Sequence, residues 1–249
     1  CALPIYDVIN GLAGDDVIHG NAGDDIINGG PGSDTLFGDA GNDLFRVKGD
    51  SGPDTVNGGT GFDEVRGSDG NDVIRFTLYN GANTVERIAG GAGDNRIASG
   101  AWFGNMDFSA TELVNIARIE GGAGDDQISG SQGDDVIEGG GGADRLWGNG
   151  GNDLFRVTGD SGPDTVNGGD GFDEIRGSDG DDVIRFTLYT GANTVERIDG
   201  GAGNNRIASG AWFGNMDFSA TELVNIARIE GGAGDDQISG SQGDDVIEG

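Results

Sequence analysis

A nine-residue repeat runs through most of the chain. It is clearest from Gly20 to Arg46, where the sequence reads GNAGDDIIN, GGPGSDTLF and GDAGNDLFR. When the places in a unit are numbered from one to nine, glycine stands at places one and four, aspartate at place six and an apolar residue at place eight. Of the 18 units from Gly11 onward, 16 have aspartate at place six and all 18 have Ile, Leu, Val or Phe at place eight. A repeat this regular predicts a solenoid of stacked units.

Each unit combines a turn with a very short strand. Glycine adopts the positive φ angles that tight turns require, and aspartate is common in such turns. In the strand formed by places seven to nine, the middle side chain points to one side and its neighbours to the other. We therefore expect Ile18, Ile27, Leu36 and Phe45 to face the interior. Two units form one coil of 18 residues, and alternate units stack ~4.8 Å apart.

This core is thin, because only one apolar side chain in nine residues points inward. It cannot by itself offset the entropy lost when so many glycines are ordered. Stacking would bring Asp16 near Asp34 and Asp25 near Asp43, where like charges repel unless a cation lies between them. Carboxylates and turn carbonyls are hard oxygen ligands that suit Ca²⁺. The alternative is that aspartate only caps the turns, but capping alone would tolerate Asn or Ser at the sixteen places.

Two of the units, GGPGSDTLF (29–37) and GGAGDDQIS (121–129), resemble the hemolysin-type calcium-binding repeats of the RTX family, G-G-x-G-x-D-x-U-x with U apolar. The resemblance implies Ca²⁺ ions between successive turns, held by place-six carboxylates and by carbonyls of the glycine-rich turns. One ion for each pair of stacked turns in the two uninterrupted runs of units gives roughly ten ions in all. The predicted carbonyl ligands are exemplified by Gly11, Ala13, Gly30, Gly32, Gly139 and Gly140. The predicted carboxylate ligands are Asp16, Asp25, Asp34, Asp43, Asp54, Asp63, Asp72, Asp126, Asp135, Asp144, Asp153, Asp164, Asp173, Asp182, Asp236 and Asp245.

Two units lack the place-six aspartate. They have the neutral residues Asn95 and Asn205 in its place. We expect these two turns to be weak calcium sites or purely structural turns.

Charge and composition exclude several classes of protein. The formal net charge is −30, so the chain repels nucleic acids and repels itself without counter-ions. The one cysteine, Cys1, permits no intrachain disulfide. No apolar run approaches the ~20 residues of a membrane-spanning helix. Because the sequence has no starting methionine, we expect it to be a fragment or a processed piece.

A longer repeat overlies the short one. Residues 38–139 match residues 148–249 at an offset of 110, with 93 of 102 positions identical. Irregular coils are expected at 76–120 and 186–230, where the nonapeptide is interrupted. Within the first of these, Val85–Ile88 and Ile116–Ile119 are predicted to be longer strands.

Other motifs give little support for catalysis. Gly49-Asp-Ser-Gly is similar to the sequence around some serine nucleophiles, but a triad needs a base. The chain's one histidine, His19, stands at place nine, which points outward, and is interpreted as a solvated side chain. A base for a triad is therefore lacking, and we expect that the chain is not an enzyme. Trp102, Phe103, Trp212 and Phe213 are interpreted mainly as plugs of wider coils, with a sugar-stacking platform as the alternative.

Together these observations predict an all-β, right-handed parallel β-roll or β-helix of roughly 12 to 14 coils, one continuous solenoid over residues 1–249. As the resemblance implies, it would be an extracellular calcium-binding module of a secreted bacterial protein, folding when it binds Ca²⁺ outside the cell. Three roles in the parent protein stay open. They are a structural or adhesive stalk, a carrier module of an enzyme or toxin exported by type I secretion, and a carbohydrate-binding solenoid that recognises glycans or another cell-surface component.

Overall fold

A computed structural model of the chain describes residues 6–100, 104–210 and 215–249. In these residues nearly all regular structure is short strand, and the one helical segment is a 3₁₀ turn at Gly191–Asn193. The strands are β1 (Val8–Asn10), β2 (Val17–His19), β3 (Ile26–Asn28), β4 (Thr35–Ala40), β5 (Leu44–Arg46), β6 (Asp50–Thr60), β7 (Glu64–Arg66), β8 (Val73–Phe76), β9 (Arg87–Ala89), β10 (Arg96–Ser99), β11 (Asn105–Asp107), β12 (Glu112–Val114), β13 (Arg118–Ala123), β14 (Gln127–Ser129), β15 (Val136–Gly141), β16 (Arg145–Gly150), β17 (Leu154–Arg156), β18 (Asp160–Asp170), β19 (Glu174–Arg176), β20 (Val183–Phe186), β21 (Arg197–Asp199), β22 (Asn205–Ser209), β23 (Asn215–Asp217), β24 (Glu222–Val224), β25 (Ile226–Glu230), β26 (Gln237–Ser239) and β27 (Ile247–Glu248).

The side chains at place eight form the core. Ile18, Ile27, Leu36 and Phe45 are all buried, as the alternation within each strand predicts. Their neighbours at places seven and nine are half-buried or exposed, since they point away from the interior. Val65 and its counterpart Ile175 are each 1 % exposed, so the conservative difference between the two copies falls in the core.

The chain divides into two compact units, and the first is Cys1–Glu120. It contains two parallel sheets of six strands, in the orders β1-β3-β5-β7-β9-β12 and β2-β4-β6-β8-β10-β13. From β1 to β10, consecutive strands of the chain therefore alternate between the two sheets, as in a solenoid. In the first sheet the pairing places Ile27 beside Phe45, Phe45 beside Val65 and Val65 beside Ile88, which makes a continuous apolar row.

The second unit, Gly121–Gly249, has the same construction. One parallel sheet has the order β15-β17-β19-β21-β24, a second has the order β14-β16-β18-β20-β22-β25-β27, and β23 pairs with β26. Phe155, Ile175 and Ile198 lie in register in the first of these sheets. The predicted all-β parallel solenoid is thus confirmed, whereas its continuity from one unit into the other stays a prediction.

The coils are not of uniform length. Val17 pairs with Thr35, eighteen residues on, whereas Thr35 pairs with Thr55 and Glu64 with Arg87. The extra residue pair at 47–48 and the irregular segments account for the longer coils. The described residues form about 11 turns, fewer than the roughly 12 to 14 coils predicted from the sequence.

The irregular segments are packed by aromatic side chains. The prediction of longer strands is half right, since β13 has six residues but β9 has only three. Before β9 the chain turns, and Tyr79 is buried between Phe76 and Phe108, with ring centroids 4.7 Å away in each case. The Tyr79 hydroxyl lies 2.9 Å from the Thr111 hydroxyl. These rings fill the wider coil.

In many turns, glycine at place four is required by the stacking of coils. At Gly142 φ is +135°, and a Cβ there would lie 2.1 Å from the carbonyl oxygen of Gly124 in the neighbouring coil. At the adjacent Gly141, place three of the same unit, a Cβ would meet nothing within 4 Å. The sequence agrees, because place three is variable and place four is glycine in every unit.

This difference predicts opposite results for two neighbouring substitutions. Gly142→Ala should lower the free energy of unfolding by at least ~2 kcal/mol, because alanine is strained at positive φ and its Cβ would overlap backbone. Gly141→Ala should change it by less than ~0.5 kcal/mol. Thermal unfolding followed by circular dichroism in saturating Ca²⁺ measures both, and equal effects would contradict this account of the stacking.

Candidate metal centre

Thirteen of the sixteen predicted aspartates lie at the end of a glycine-rich turn, directly before a strand; Asp54 and Asp164 lie within β6 and β18, and Asp245 lies two residues before β27. Their main chains are therefore fixed by the strand pairing, and their side chains lie at the edge of the coil. Most of these aspartates are buried, which is unusual for charged side chains. The exceptions are Asp16, Asp236 and Asp245, which are half-buried.

One carboxylate oxygen of each stacked pair connects two coils. The backbone N–H of Asp16 donates to Oδ1 of Asp34 at 2.9 Å, and that of Asp25 donates to Oδ1 of Asp43 at 2.8 Å. The N–H of Asp43 donates in turn to Asp63 at 2.8 Å. The same ladder occurs in the second unit, where the corresponding distances are 2.8–3.0 Å. The predicted proximity of Asp16 to Asp34 and of Asp25 to Asp43 is confirmed.

The other carboxylate oxygen has no hydrogen-bond donor in many of these turns. A buried acceptor in this condition costs about 1–3 kcal/mol, and more when it is charged. Such an atom needs either a proton or a cation. The Oδ2 atoms that are shielded from solvent and receive no hydrogen bond from the described residues include those of Asp16, Asp25, Asp34, Asp43, Asp63, Asp144, Asp153 and Asp173.

In six of these eight turns, Oδ2 lies close to a carbonyl oxygen of the next coil. A Cβ built on Gly20 would lie 2.7 Å from Asp25 Oδ2 and 2.7 Å from the carbonyl oxygen of Gly38. A Cβ built on Gly38 would lie 2.4 Å from both Asp43 Oδ2 and the carbonyl oxygen of Gly58. Two acceptors thus converge on a small space that is open only because place one is glycine. We call this space the cradle of the turn.

The donor set of the cradle fits Ca²⁺. Among the described residues no group of three or more His, Cys, Asp or Glu side chains comes together, so a site built from side chains alone is not present there. Carboxylates combined with backbone carbonyls are, however, the oxygen ligands that Ca²⁺ takes in flexible geometries. The residues therefore fit the ion, and a cation in the cradle would give Oδ2 the partner that it lacks.

A second class of turn satisfies its aspartate internally. In the units that have serine at place two, the Ser68 N–H donates to Asp72 Oδ2 at 2.6 Å, and the Ser68 hydroxyl lies 3.0 Å from both oxygens of this carboxylate. Corresponding contacts join the pairs Ser131–Asp135, Ser178–Asp182 and Ser241–Asp245.

The ladder also includes residues that the sequence analysis missed. The N–H of Asp63 donates to Oε2 of Glu86 at 2.7 Å, and Asp173 does the same to Glu196 at 2.8 Å. Glu86 stands two residues before the buried Ile88, as each aspartate stands two residues before its core residue. That spacing is the signal by which both glutamates could have been found.

A further ladder was also missed. At place five, the carboxylate or amide oxygen accepts the N–H of the place-five residue in the next coil. Ser33 donates to Asp15 at 2.9 Å, Asn42 to Asp24 at 2.8 Å and Phe62 to Asn42 at 2.8 Å. These side chains are exposed, in contrast to those at place six.

The remaining predicted residues have mixed outcomes. A Cβ built on Gly121 would lie 2.5 Å from the Gly139 carbonyl oxygen and 2.7 Å from Asp126 Oδ2, so Gly139 lies at a cradle. The ligand roles of the other predicted carbonyls stay predictions. His19 is half exposed, lies 3.1 Å from Asp39 and stacks on Phe37. The residues of the aromatic platform, Trp102, Phe103, Trp212 and Phe213, lie outside the described residues.

Comparison with known families settles which repeat this is. The model of the RTX calcium-binding nonapeptide repeat matches more than half of the chain, at residues 7–36, 48–76, 80–101, 120–155, 158–186, 190–211 and 227–249. The chain belongs to this family. A search of curated proteins gave no significant match. RTX repeats bind Ca²⁺, so the chain is a calcium-binding repeat module with a β-solenoid fold. No helix in the described part of the chain is long and apolar enough to cross a membrane.

The electrostatics of the RTX turns favour a bound cation. Without metal, burial raises the pKa of Asp54, Asp153 and Asp164 to about 7 and that of Asp63 to about 6, from a usual 3.8. Repulsion from neighbouring carboxylates adds to the rise, and backbone N–H donors of the ladder partly oppose it. The folded chain thus favours protonation of these groups when no cation is present.

These pKa shifts predict a pH dependence. The pKa of these aspartates is higher in the metal-free fold than in the unfolded chain, so their protonation stabilises the metal-free fold. This stabilisation is present below about pH 4 and is lost as pH rises through 6 to 7. In EDTA, β-structure should therefore increase as pH falls from 8 to 5. Protons should compete with Ca²⁺, so the Ca²⁺ concentration at half-saturation should rise below pH 7. Circular dichroism titrations at constant ionic strength test both, and a Ca²⁺ midpoint constant from pH 8 to 5 would contradict the prediction.

Proposed function

We propose that this chain is an extracellular module that folds when it binds Ca²⁺ in the cradles of its RTX turns. The place-six carboxylates would supply Oδ2, and the glycine-rich turns would supply carbonyl oxygens. Bound Ca²⁺ would neutralise the carboxylates and connect each turn to the next coil. The chain's own residues fix the positions of these oxygens through the ladder of backbone N–H donors.

The observation that carries this proposal is the buried Oδ2 without a donor. It recurs at equivalent positions, as in Asp43 and Asp153, which are both 2 % exposed. A turn cap would use its carboxylate to accept N–H groups of its own turn. Here Oδ1 accepts an N–H from another coil, and Oδ2 faces another acceptor. Capping alone does not explain this arrangement.

The turns are not equivalent as calcium sites. Those with an unpartnered Oδ2 are the proposed strong sites. Asp72, Asp135, Asp182 and Asp245 receive donors from serine within their own turn, so binding of a cation would have to displace those hydrogen bonds. These four are proposed as weaker sites. The total of roughly ten ions follows from oxygen-ligand sites between stacked turns and stays a prediction.

Folding and binding are coupled because the metal-free fold is costly. The net charge of −30 and the ordering of 53 glycines both favour the unfolded chain when Ca²⁺ is absent. Sites of extracellular calcium-binding modules have dissociation constants of about 10⁻⁴–10⁻³ M. The chain would thus stay unfolded where Ca²⁺ is scarce and fold outside the cell, where it is abundant.

A titration from EDTA into millimolar Ca²⁺, followed by far-ultraviolet circular dichroism, tests the proposal. We expect a cooperative transition from coil to β-structure with Ca²⁺ and none with equal Mg²⁺, because Mg²⁺ requires a stricter octahedral geometry and dehydrates reluctantly. A β spectrum already complete in EDTA at pH 7.5 would contradict the proposal.

For the parent protein we propose a structural or adhesive stalk at the bacterial cell surface. The supporting observation is the duplication, in which 93 of 102 residues are identical. The internal contacts are duplicated as well, since Tyr189 lies 2.9 Å from Thr221 as Tyr79 does from Thr111. A near-exact tandem copy suits a role that increases with length or with bound calcium. Bacterial secretion is typical of RTX proteins.

The gene that encodes this chain offers a direct test of that role. Further copies of the block beside these two would support a stalk. A catalytic domain next to the repeats would contradict it and favour the carrier module of a secreted enzyme or toxin.

A further inference from the structure

The two turns without aspartate have a hydrogen-bond arrangement of their own. Asn95 is 0 % exposed, and its Oδ1 accepts the N–H of Asp72 at 2.9 Å, as an aspartate of the ladder would. Its Nδ2 donates to the carbonyl oxygens of Ala92 at 3.1 Å, Gly93 at 3.4 Å and Asn115 at 3.4 Å. The amide cannot be reversed, because its oxygen would then face three acceptors and its nitrogen would face a donor.

The nitrogen of this amide occupies the position of the unpartnered oxygen in other turns. A Cβ built on Gly90 would lie 2.7 Å from Asn95 Nδ2 and 2.4 Å from the Asn115 carbonyl oxygen. The same construction on Gly20 gives 2.7 Å to Asp25 Oδ2 and 2.7 Å to the carbonyl oxygen of the next coil. The cradle is therefore the same in both turns. What differs is that Asn95 brings a donor where Asp25 brings a second acceptor.

We infer that Asn95 and Asn205 make their turns independent of calcium, because the side-chain amide replaces the cation in the cradle. The amide N–H groups face the carbonyl oxygens that would otherwise face a metal ion. The residue is neutral, so its burial adds no charge that a counter-ion must balance. This inference rests on the proposed calcium-dependent fold and identifies two turns that the ion does not occupy.

The arrangement is repeated in the second copy. Asn205 is also 0 % exposed, and its Oδ1 accepts the N–H of Asp182 at 2.9 Å. Its Nδ2 donates to Ala202 at 3.0 Å, Asn225 at 3.3 Å and Gly201 at 3.4 Å. The surrounding sequence is not identical, since Asp94 is replaced by Asn204. The Oδ1 contact and two of the three Nδ2 contacts are kept despite this change, and the third moves from Gly93 to Gly201, which is the counterpart of Gly91.

The neighbouring turn on the same edge is also satisfied without metal. Asp72, whose N–H donates to Asn95, has its own Oδ2 bound by Ser68. Asp182 and Ser178 repeat this beside Asn205. Each copy therefore has two successive turns at one edge in which side-chain donors fill the position of a cation.

The test compares isosteric substitutions. Asn95→Asp combined with Asn205→Asp keeps each Oδ1 contact but replaces the donor Nδ2 by an acceptor. The matched control is Asn105→Asp with Asn215→Asp, which adds the same charge at exposed positions, one in each copy of the block, on side chains that make no hydrogen bond with the described residues. The readout is the Ca²⁺ concentration at half-formation of β-structure in circular dichroism.

We expect the Asn95→Asp, Asn205→Asp protein to need about twofold more Ca²⁺ than the wild type, because each new oxygen faces carbonyl oxygens without a donor. The control should stay at the wild-type midpoint. Equal midpoints for the two double variants would overturn the inference. If the wild type is already folded in EDTA, the proposed function fails but the inference can still be tested. The inference then predicts that the Asn95→Asp, Asn205→Asp protein unfolds at a lower temperature in EDTA than the control does. Equal unfolding temperatures would overturn it.

The reverse substitution gives an independent test of the inference. Asp25→Asn should create an amide-filled cradle at an ordinary turn, whereas Asp25→Ala removes both the metal ligand and the ladder contact. We expect Asp25→Asn to fold at a lower Ca²⁺ concentration than Asp25→Ala. Identical midpoints for the two variants would show that an amide in the cradle does not replace the cation, and would overturn the inference.

Discussion

The structure depends on one unfavourable arrangement of oxygen atoms. Coils stacked at strand spacing bring a buried carboxylate oxygen of each turn against a carbonyl oxygen of the next, as at Asp25 and Gly38. Neither atom can donate a hydrogen bond. The apolar core, with one inward side chain per nine residues, has little free energy to offset this cost. We therefore propose that whatever fills the cradle controls whether the solenoid forms.

The chain fills this position in three ways. At least eight turns leave Oδ2 open, and we propose a calcium ion there. Turns with serine at place two supply an N–H and a hydroxyl, as Ser68 does for Asp72. The turns of Asn95 and Asn205 supply an amide. Under this proposal calcium dependence would be set turn by turn, and the two copies of the block would share the same order of filled and open turns.

The sequence predicted the parts of this structure that follow from periodicity. The alternation within each strand identified Ile27 and Phe45 as core residues, and the spacing of the units identified which aspartates stack. It did not show which oxygen of an aspartate receives the donor, since that depends on how coils are placed relative to each other. The aromatic packing of Tyr79 and the role of Glu86 were missed because both lie where the nonapeptide is interrupted. The coil count was too high for the same reason.

The most direct test of the central claim is anomalous diffraction from crystals grown in Ca²⁺, recorded at a wavelength where calcium scatters anomalously. The account predicts peaks about 2.3–2.6 Å from Oδ2 of open aspartates such as Asp25, Asp43 and Asp153. It predicts no peak at the cradles of Asn95 and Asn205. Peaks only at exposed carboxylates, with the cradles of the open aspartates lacking calcium, would contradict it.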